Sequence, residues 1–365
     1  MRWVTVEDLD DLAVGAALLG AGGGGDPHLG KLMAKQVMKE KGPVRLIRVE
    51  ELPQAGIVLP VAMMGAPTVS VEKIPSGQEW DTVVRLAKSF LKDDIVALMS
   101  AEIGGENSFV PLIAAAMLNL PVLDADGMGR AFPEIPMTSM NLSGVPAAPM
   151  AMADERGNRV VVDAVDNAWA ERISRMITVM MGGSAAIALY AMETKAVRSA
   201  VVEGSLSQTI RYGRWLRSLA QGKMSFDAFS QATGGIPLFQ GKVVDVIRRT
   251  EGGFVRGTAT IVGFDRDDGS VMRVEFQNEH LVAMRDGEPV AMVPDIIALL
   301  DAETFMPITT ESIAYGQRVM VFGLPCAPLW RTQAGLELVG PRRFGYAFDY
   351  IPIDEVDRHG LSTGN

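Results

Sequence analysis

Between residues 44 and 123, short apolar runs alternate with helix-like stretches. No other feature constrains the fold of this chain as strongly. Runs 44–49 and 56–64 are rich in β-branched residues, 81–91 has a helical pattern, and 94–99 reads as a buried strand. The stretch 108–119 is a small-residue helix, and 121–123 opens another apolar strand. Strands joined by helices at this spacing imply right-handed crossovers and a parallel sheet covered on both faces. The expected first domain, residues 1–166, is therefore α/β, with a mostly parallel sheet and flanking helices.

Upstream, Val6, Leu9, Leu12, Ala13, Ala16 and Leu19 share one helical stripe. Glu7, Asp8 and Asp10 in its first turn complement the helix dipole. That helix runs into Gly20-Ala21-Gly22-Gly23-Gly24-Gly25. A second helix begins with Asp26 as N-cap and Pro27 at its first position, and ends at Gly42. Near 164–167 the chain enters a helical pattern marked by Trp169, Ile173, Met176 and Met180, which places the domain boundary there.

Beyond Gly182-Gly183-Ser184 comes one strand-like run, then helical stretches near 204–220 and 225–232. Runs 243–246, 254–262, 271–276 and 281–284 are bounded by turn signals such as Asp267-Asp268-Gly269 and Asp286-Gly287. They predict an antiparallel sheet or small barrel. The segment 294–300 reads as a short helix. The expected second domain, 167–365, is strand-rich α+β.

Composition limits the function classes. With 34 Lys and Arg against 44 Asp and Glu, the net charge is −10, which argues against nucleic acid or an anionic membrane as partner. A single cysteine, Cys326, excludes an intramolecular disulfide framework and a multi-Cys zinc module. Its setting between Pro325 and Pro328 near Trp330 reads as a packed loop rather than a nucleophile. No apolar run approaches the ~18–20 residues of a membrane span. The N-terminus turns acidic before a signal core forms, so a soluble cytoplasmic protein is expected. A homo-oligomer is also expected.

The tails of three strands carry the polar chemistry. They read Gly65-Ala66-Pro67-Thr68, Ser100-Ala101-Glu102-Ile103-Gly104-Gly105-Glu106-Asn107 and Asp124-Ala125-Asp126-Gly127-Met128-Gly129-Arg130. Ligands bind beyond the carboxyl ends of parallel strands, so the tails predict one shared site. Glu102, Glu106, Asp124, Asp126 and Glu134 form an acidic cluster. Carboxylates gathered there can hold a divalent metal or work as acid and base; the plainer alternative is local capping of backbone N–H groups. Glu102, Asp124, Asp126 and Arg130 are the catalytic candidates, with Arg130 neutralising developing negative charge.

Gly23, Gly24 and Gly25 are candidates to line the site with backbone. A tight helix–helix turn and a phosphate loop are the alternatives for the glycine run. A phosphate fingerprint needs a strand feeding the glycines, and here a helix does. Gly65, Ala66, Pro67, Gly104, Gly105 and Asn107 are further substrate-binding candidates. His28 lies beside the glycine loop, and His280 closes a strand where it could be a ligand, a base or an ordinary strand-end residue.

Several long strings resemble the S-methyl thiohydantoin desulfurase family. In the first half these are 19–27, Met64-Gly65-Ala66-Pro67-Thr68-Val69, Glu102-Ile103-Gly104-Gly105, Asn107-Ser108 and 124–134. In the second half they are Gly241-Lys242-Val243-Val244-Asp245-Val246, Val274-Glu275-Phe276-Gln277-Asn278-Glu279, Val293-Pro294-Asp295 and Phe344-Gly345-Tyr346. The resemblance implies a two-domain enzyme that hydrolytically releases methanethiol from a small hydantoin-type heterocycle, with zinc or another divalent metal and no nucleotide cofactor. It adds Asn278 to the substrate-binding candidates. Asp26, His28, Asp124 and Asp126 become the candidate metal ligands. The alternative is a non-catalytic ligand-binding or accessory subunit of a hydantoinase- or oxoprolinase-type enzyme.

Overall fold

A computed structural model describes residues 2–65, 73, 75–251 and 254–355. Its first sheet has nine strands. Along the sheet run Arg2–Val4, Val44–Ile47, Val122–Leu123, Ile95–Ser100, Ile57–Gly65, Ser184–Ala188, Met150–Ala153 and Arg159–Val162, with Met192–Glu193 paired beside Ile57–Gly65. The four strands drawn from 44–123 pair in parallel. Antiparallel partners extend this block on both sides. The result is a mixed sheet around a parallel centre.

Helices Asp8–Leu19, Pro27–Lys41, Glu79–Lys88 and Val110–Leu118 bury apolar stripes against one core. Asp26 caps the second of them, its Oδ1 accepting from the His28 amide at 2.8 Å. Gly42, at φ +94°, ends that helix. No helix among the described residues is long and apolar enough to cross a membrane.

The strand Ser184–Ala188 belongs to the first sheet, between Ile57–Gly65 and Met150–Ala153. Residues beyond 166 therefore also contribute to the first sheet. The helix Asn167–Met180 also packs on this sheet, Ser184–Ala188 and Met192–Glu193 follow it there, and the second sheet begins only at Ile236. The reason is burial. All five residues of 184–188 are buried, so the strand needs sheet on both edges and cover on both faces.

The second sheet has eight antiparallel strands. Their order is Glu288–Met292, Glu279–Arg285, Val271–Gln277, Phe254–Gly263, Ile236–Glu251, Arg318–Leu324, Ile296–Asp301 and Pro307–Ile308. The expected short helix at 294–300 is instead the strand Ile296–Asp301, paired with Arg318–Leu324 over six residues. Five consecutive buried residues, Ile296 to Leu300, lack the polar alternation that marks a half-exposed strand. A run of that length is ambiguous between helix and strand by periodicity alone.

Candidate active site between the two sheets

The site starts at the end of the strand Ile57–Gly65. Beyond it the loop 100–108 folds back on itself: the Ser100 hydroxyl donates to the Glu102 and Asn107 carbonyls, and the Gly104 amide donates to Ser108 Oγ at 3.0 Å. Asn107 is held by its neighbour's backbone. Its Oδ1 accepts from the Met63 amide at 2.6 Å, and its Nδ2 donates to the Met63 carbonyl and to Glu102 Oε1 at 2.5 Å. Glu102 Oε2 accepts from the Phe132 amide at 3.3 Å. The Glu102 carboxyl thus points one way, set by two donors from different segments.

The glycine run presses this loop against the second sheet. A Cβ on Gly23 would lie 2.1 Å from Glu279 Oε1, and one on Gly105 would lie 2.1 Å from the Gly24 carbonyl. Neither position tolerates a side chain without displacing its neighbour. Three carbonyls of the run accept hydrogen bonds: Ala21 from the His280 amide, Gly22 from the Thr310 amide and Gly24 from the Glu106 amide. The Ala21 and Gly22 carbonyls tie the first half to the second, a backbone hydrogen bond from Gly24 helps hold down the Glu279 carboxyl, and Gly24 and Gly25 line the cavity. Gly23 is not among the lining residues.

That cavity encloses about 110 Å³, room for a small molecule rather than a polymer. Its polar end is built by Glu102, Glu106, Asn107, Asn278 and Glu279. Phe132, Ile135, Ile187, Leu189 and Tyr190 supply much of its apolar lining. Lys73 and Arg175 also border it. Lys73 binds Glu155 at 2.7 Å and two backbone carbonyls; Arg175 binds Glu171 at 2.7 Å and stacks on Phe254.

Burial sets the electrostatics. Desolvation pushes the Glu102 carboxyl up to about 7, opposed by its bonds to Asn107 and Phe132. It pushes Glu279 up to about 8, and the neighbouring Glu102 adds to that rise. Glu106 rises to about 7 for the same first reason, with Asp26 and Glu79 adding like charge. Glu279 Oε2 and Glu106 Oε1 are buried without a hydrogen-bond partner. Behind the carboxyls lies the fully buried Arg130. Its Nη1 donates to the Pro294 and Asp295 carbonyls at 2.8 and 2.7 Å, and its Nη2 has no partner. Burial lowers it to about 10, and the charges of Glu279, Asp295 and Glu102 oppose that fall.

The aspartates of the third strand tail lie elsewhere. Asp124 accepts from the Ser207 amide at 2.8 Å and from the Ser207 hydroxyl at 2.5 Å, securing the start of the helix Ser205–Ala220. Asp126 accepts from the amides of Ile103, Met128 and Gly129 at 2.7–3.1 Å. Neither lines the cavity. Of the expected tails, Gly65, Ala101, Glu102, Glu106, Asn107 and Met128 reach it, Gly104 and Gly105 buttress it from behind, and Ala66, Pro67 and Thr68 lie outside the described residues.

His280 is fully buried, its Nδ1 within 2.8 Å of the Ile297 carbonyl, and burial lowers it to about 4. It packs against Gly22 with its Nε2 buried and unpartnered among the described residues, and it does not line the cavity. Cys326 is buried and its thiol is pushed up to about 12 by burial, which suits a packed loop.

Zinc asks for three or four converging N, S or O donors. Asp26 caps a helix, His28 is exposed, and both Asp124 and Asp126 are taken by other donors. Among the described residues no group of three or more His, Cys, Asp and Glu side chains is placed to hold a metal. The four nominated ligands do not form such a site.

Sequence reasoning missed Glu279. The signal was present in Gln277-Asn278-Glu279-His280, a polar string inside a strand-rich region. Asn278 there takes φ +59°, and its Oδ1 accepts from the Val255 amide, turning Glu279 toward the cavity.

Comparison with known proteins agrees with this architecture. A solved structure of a protein from Chromobacterium violaceum superposes with a TM-score of 0.81 at 24% identity, covering 97% of this chain and 100% of that one. No curated protein matches the chain. The S-Me-THD-like N-terminal domain matches residues 7–164 and the S-Me-THD-like C-terminal domain matches 165–353, so the chain belongs to the S-Me-THD-like family.

Proposed function

We propose that the cavity hydrolyses the carbon–sulfur bond of a small S-methylated thiohydantoin-type ring, with Glu102 and Glu279 as its base and acid. The observation that carries this reading is two neighbouring buried carboxyls at one cavity, titrating near 7 and near 8. Two such groups divide the work at neutral pH: the one that ionises first accepts a proton, and the other still has one to give.

In this scheme Glu102, oriented by Asn107, takes a proton from a water whose oxygen attacks the ring carbon bearing sulfur. A C–O bond forms, and the C=N electron pair moves to the ring nitrogen. The C–S bond then breaks, and the sulfur leaves with the proton of Glu279 as methanethiol. As the carbonyl forms, the added hydroxyl gives its proton to the ring nitrogen, and the proton held by Glu102 restores Glu279. The net change is one water consumed and one methanethiol released. Arg130, behind the pair, offsets the charge of the ionised carboxyl. The apolar lining excludes bulk water, which strengthens these interactions.

The test is methanethiol release from an S-methyl thiohydantoin by the purified protein, with Glu102→Gln and Glu279→Gln beside it. Each amide should lower turnover by about 10²–10⁴-fold, the usual worth of a positioned acid or base. A wild-type protein that binds the ring but releases no thiol, or Gln variants with undiminished rates, would overturn the reading.

A further inference from the structure

The helix Asn167–Met180 is turned inside out. Its buried face carries Ala170, Glu171, Ser174 and Thr178. Those polar groups are satisfied within the fold: Glu171 holds Arg175 and the Ile135 amide, and Thr178 donates to the Ser174 carbonyl. Its large apolar residues face outward. Met180 is 85% exposed, Met176 65% and Trp169 48%, with Ile173 and Val179 also exposed. Val165, just before the helix, is 89% exposed. A surface helix normally does the opposite.

The outward residues 169, 173, 176 and 180 are spaced four, three and four apart, the spacing of a seam between two packed helices. Among the described residues no carboxylate lies within that seam; Asp166 caps its start, accepting from the Trp169 amide, and Arg172 lies over its own Trp169 ring at 5.3 Å. An oppositely charged partner therefore has little to read here, whereas the same apolar stripe on another copy matches it. Together the side chains of 165, 169, 173, 176, 179 and 180 expose on the order of 700 Å², close to what each partner gives to a standard interface and more than a soluble monomer usually shows as one apolar patch.

We infer that this face joins two copies of the chain, with the helices 167–180 packed antiparallel across a two-fold axis near Ile173 and Met176. Antiparallel packing sets each helix dipole against its opposite, and an isologous contact buries both stripes at once.

Light scattering after size exclusion of the full-length protein at micromolar concentration should give twice the 39.2 kDa chain mass. Met176→Glu with Met180→Glu should weaken the dimer at least ~100-fold, since each charge enters the interface twice. Both positions are exposed enough that the helical circular-dichroism signal and the melting temperature should hold. Ile351→Glu, an exposed apolar site elsewhere, should leave the dimer intact. Met176→Cys should form a disulfide-linked dimer on mild oxidation, while the wild type, whose one cysteine is buried, should not. A monomeric wild type, or a dimer that survives the double glutamate variant, would overturn the inference.

Discussion

Two acidic pairs lie near the same sheet edge, and they have opposite characters. Asp124 and Asp126 are buried with their oxygens engaged, by Ser207 in one case and by three backbone amides in the other. Glu102 and Glu279 are equally buried, yet Glu279 keeps an oxygen with no partner, and burial lifts the two to about 7 and about 8, whereas three amide bonds hold Asp126 to a rise to about 6. A carboxylate surrounded by donors is a fastener. One buried at a cavity beside a like charge keeps a proton within reach of pH 7 and can exchange it.

This contrast breaks most readily at the glutamates. Exchanging either for Gln keeps shape and removes the exchangeable proton, so the loss should appear in kcat, with melting temperature unchanged or raised. The next largest effect is expected at Asp126. Asp126→Ala leaves three buried amides without an acceptor and should cost about 3–5 kcal/mol, read as denaturant-unfolding free energy. If that variant is as stable as wild type but inactive, the two pairs have been assigned the wrong way round. Asp124→Ala removes a helix-end acceptor and should cost about 1–2 kcal/mol, with kcat retained in the fraction that stays folded.

The smallest effects are in pH. Turnover should peak between the two steps, near 7 and 8, where one carboxyl of the pair is ionised and the other protonated. Glu279→Gln should remove the alkaline limb and leave the acidic limb in place, because Glu102 ionises while Glu279 is still neutral. Glu102→Gln should move the Glu279 step to lower pH by removing a like charge. For stability, folded-state values above the ordinary 4.5 mean a contribution present below that pH and lost as pH rises through 7–8. Melting temperature should therefore fall as pH rises from 4.5 to about 8 and level off above it, less steeply in the Gln variants.

The parallel centre of the first sheet was readable because its strands and helices alternate in period and carry caps at Asp26 and Gly42. The antiparallel additions were not. Ser184–Ala188 is a run of small residues whose place depends on a groove between strands distant in sequence. The strand 296–301 was misread because full burial erases alternation. Within the site, Glu102 and Asn107 were legible as a polar strand tail, whereas Glu279 was not, since its importance comes from a contact 177 residues away in the chain.

By itself the sequence determined the two-layer character, the strand tails as the place where polar groups collect, and a glycine run too long for a simple turn. Local propensity and periodicity act over a few residues and are written directly in the chain. Only the tertiary structure decided which carboxyls would find donors and which would be buried without them. That depends on what a second sheet brings to the edge of the first, and desolvation acts on the assembled surroundings rather than on residue type.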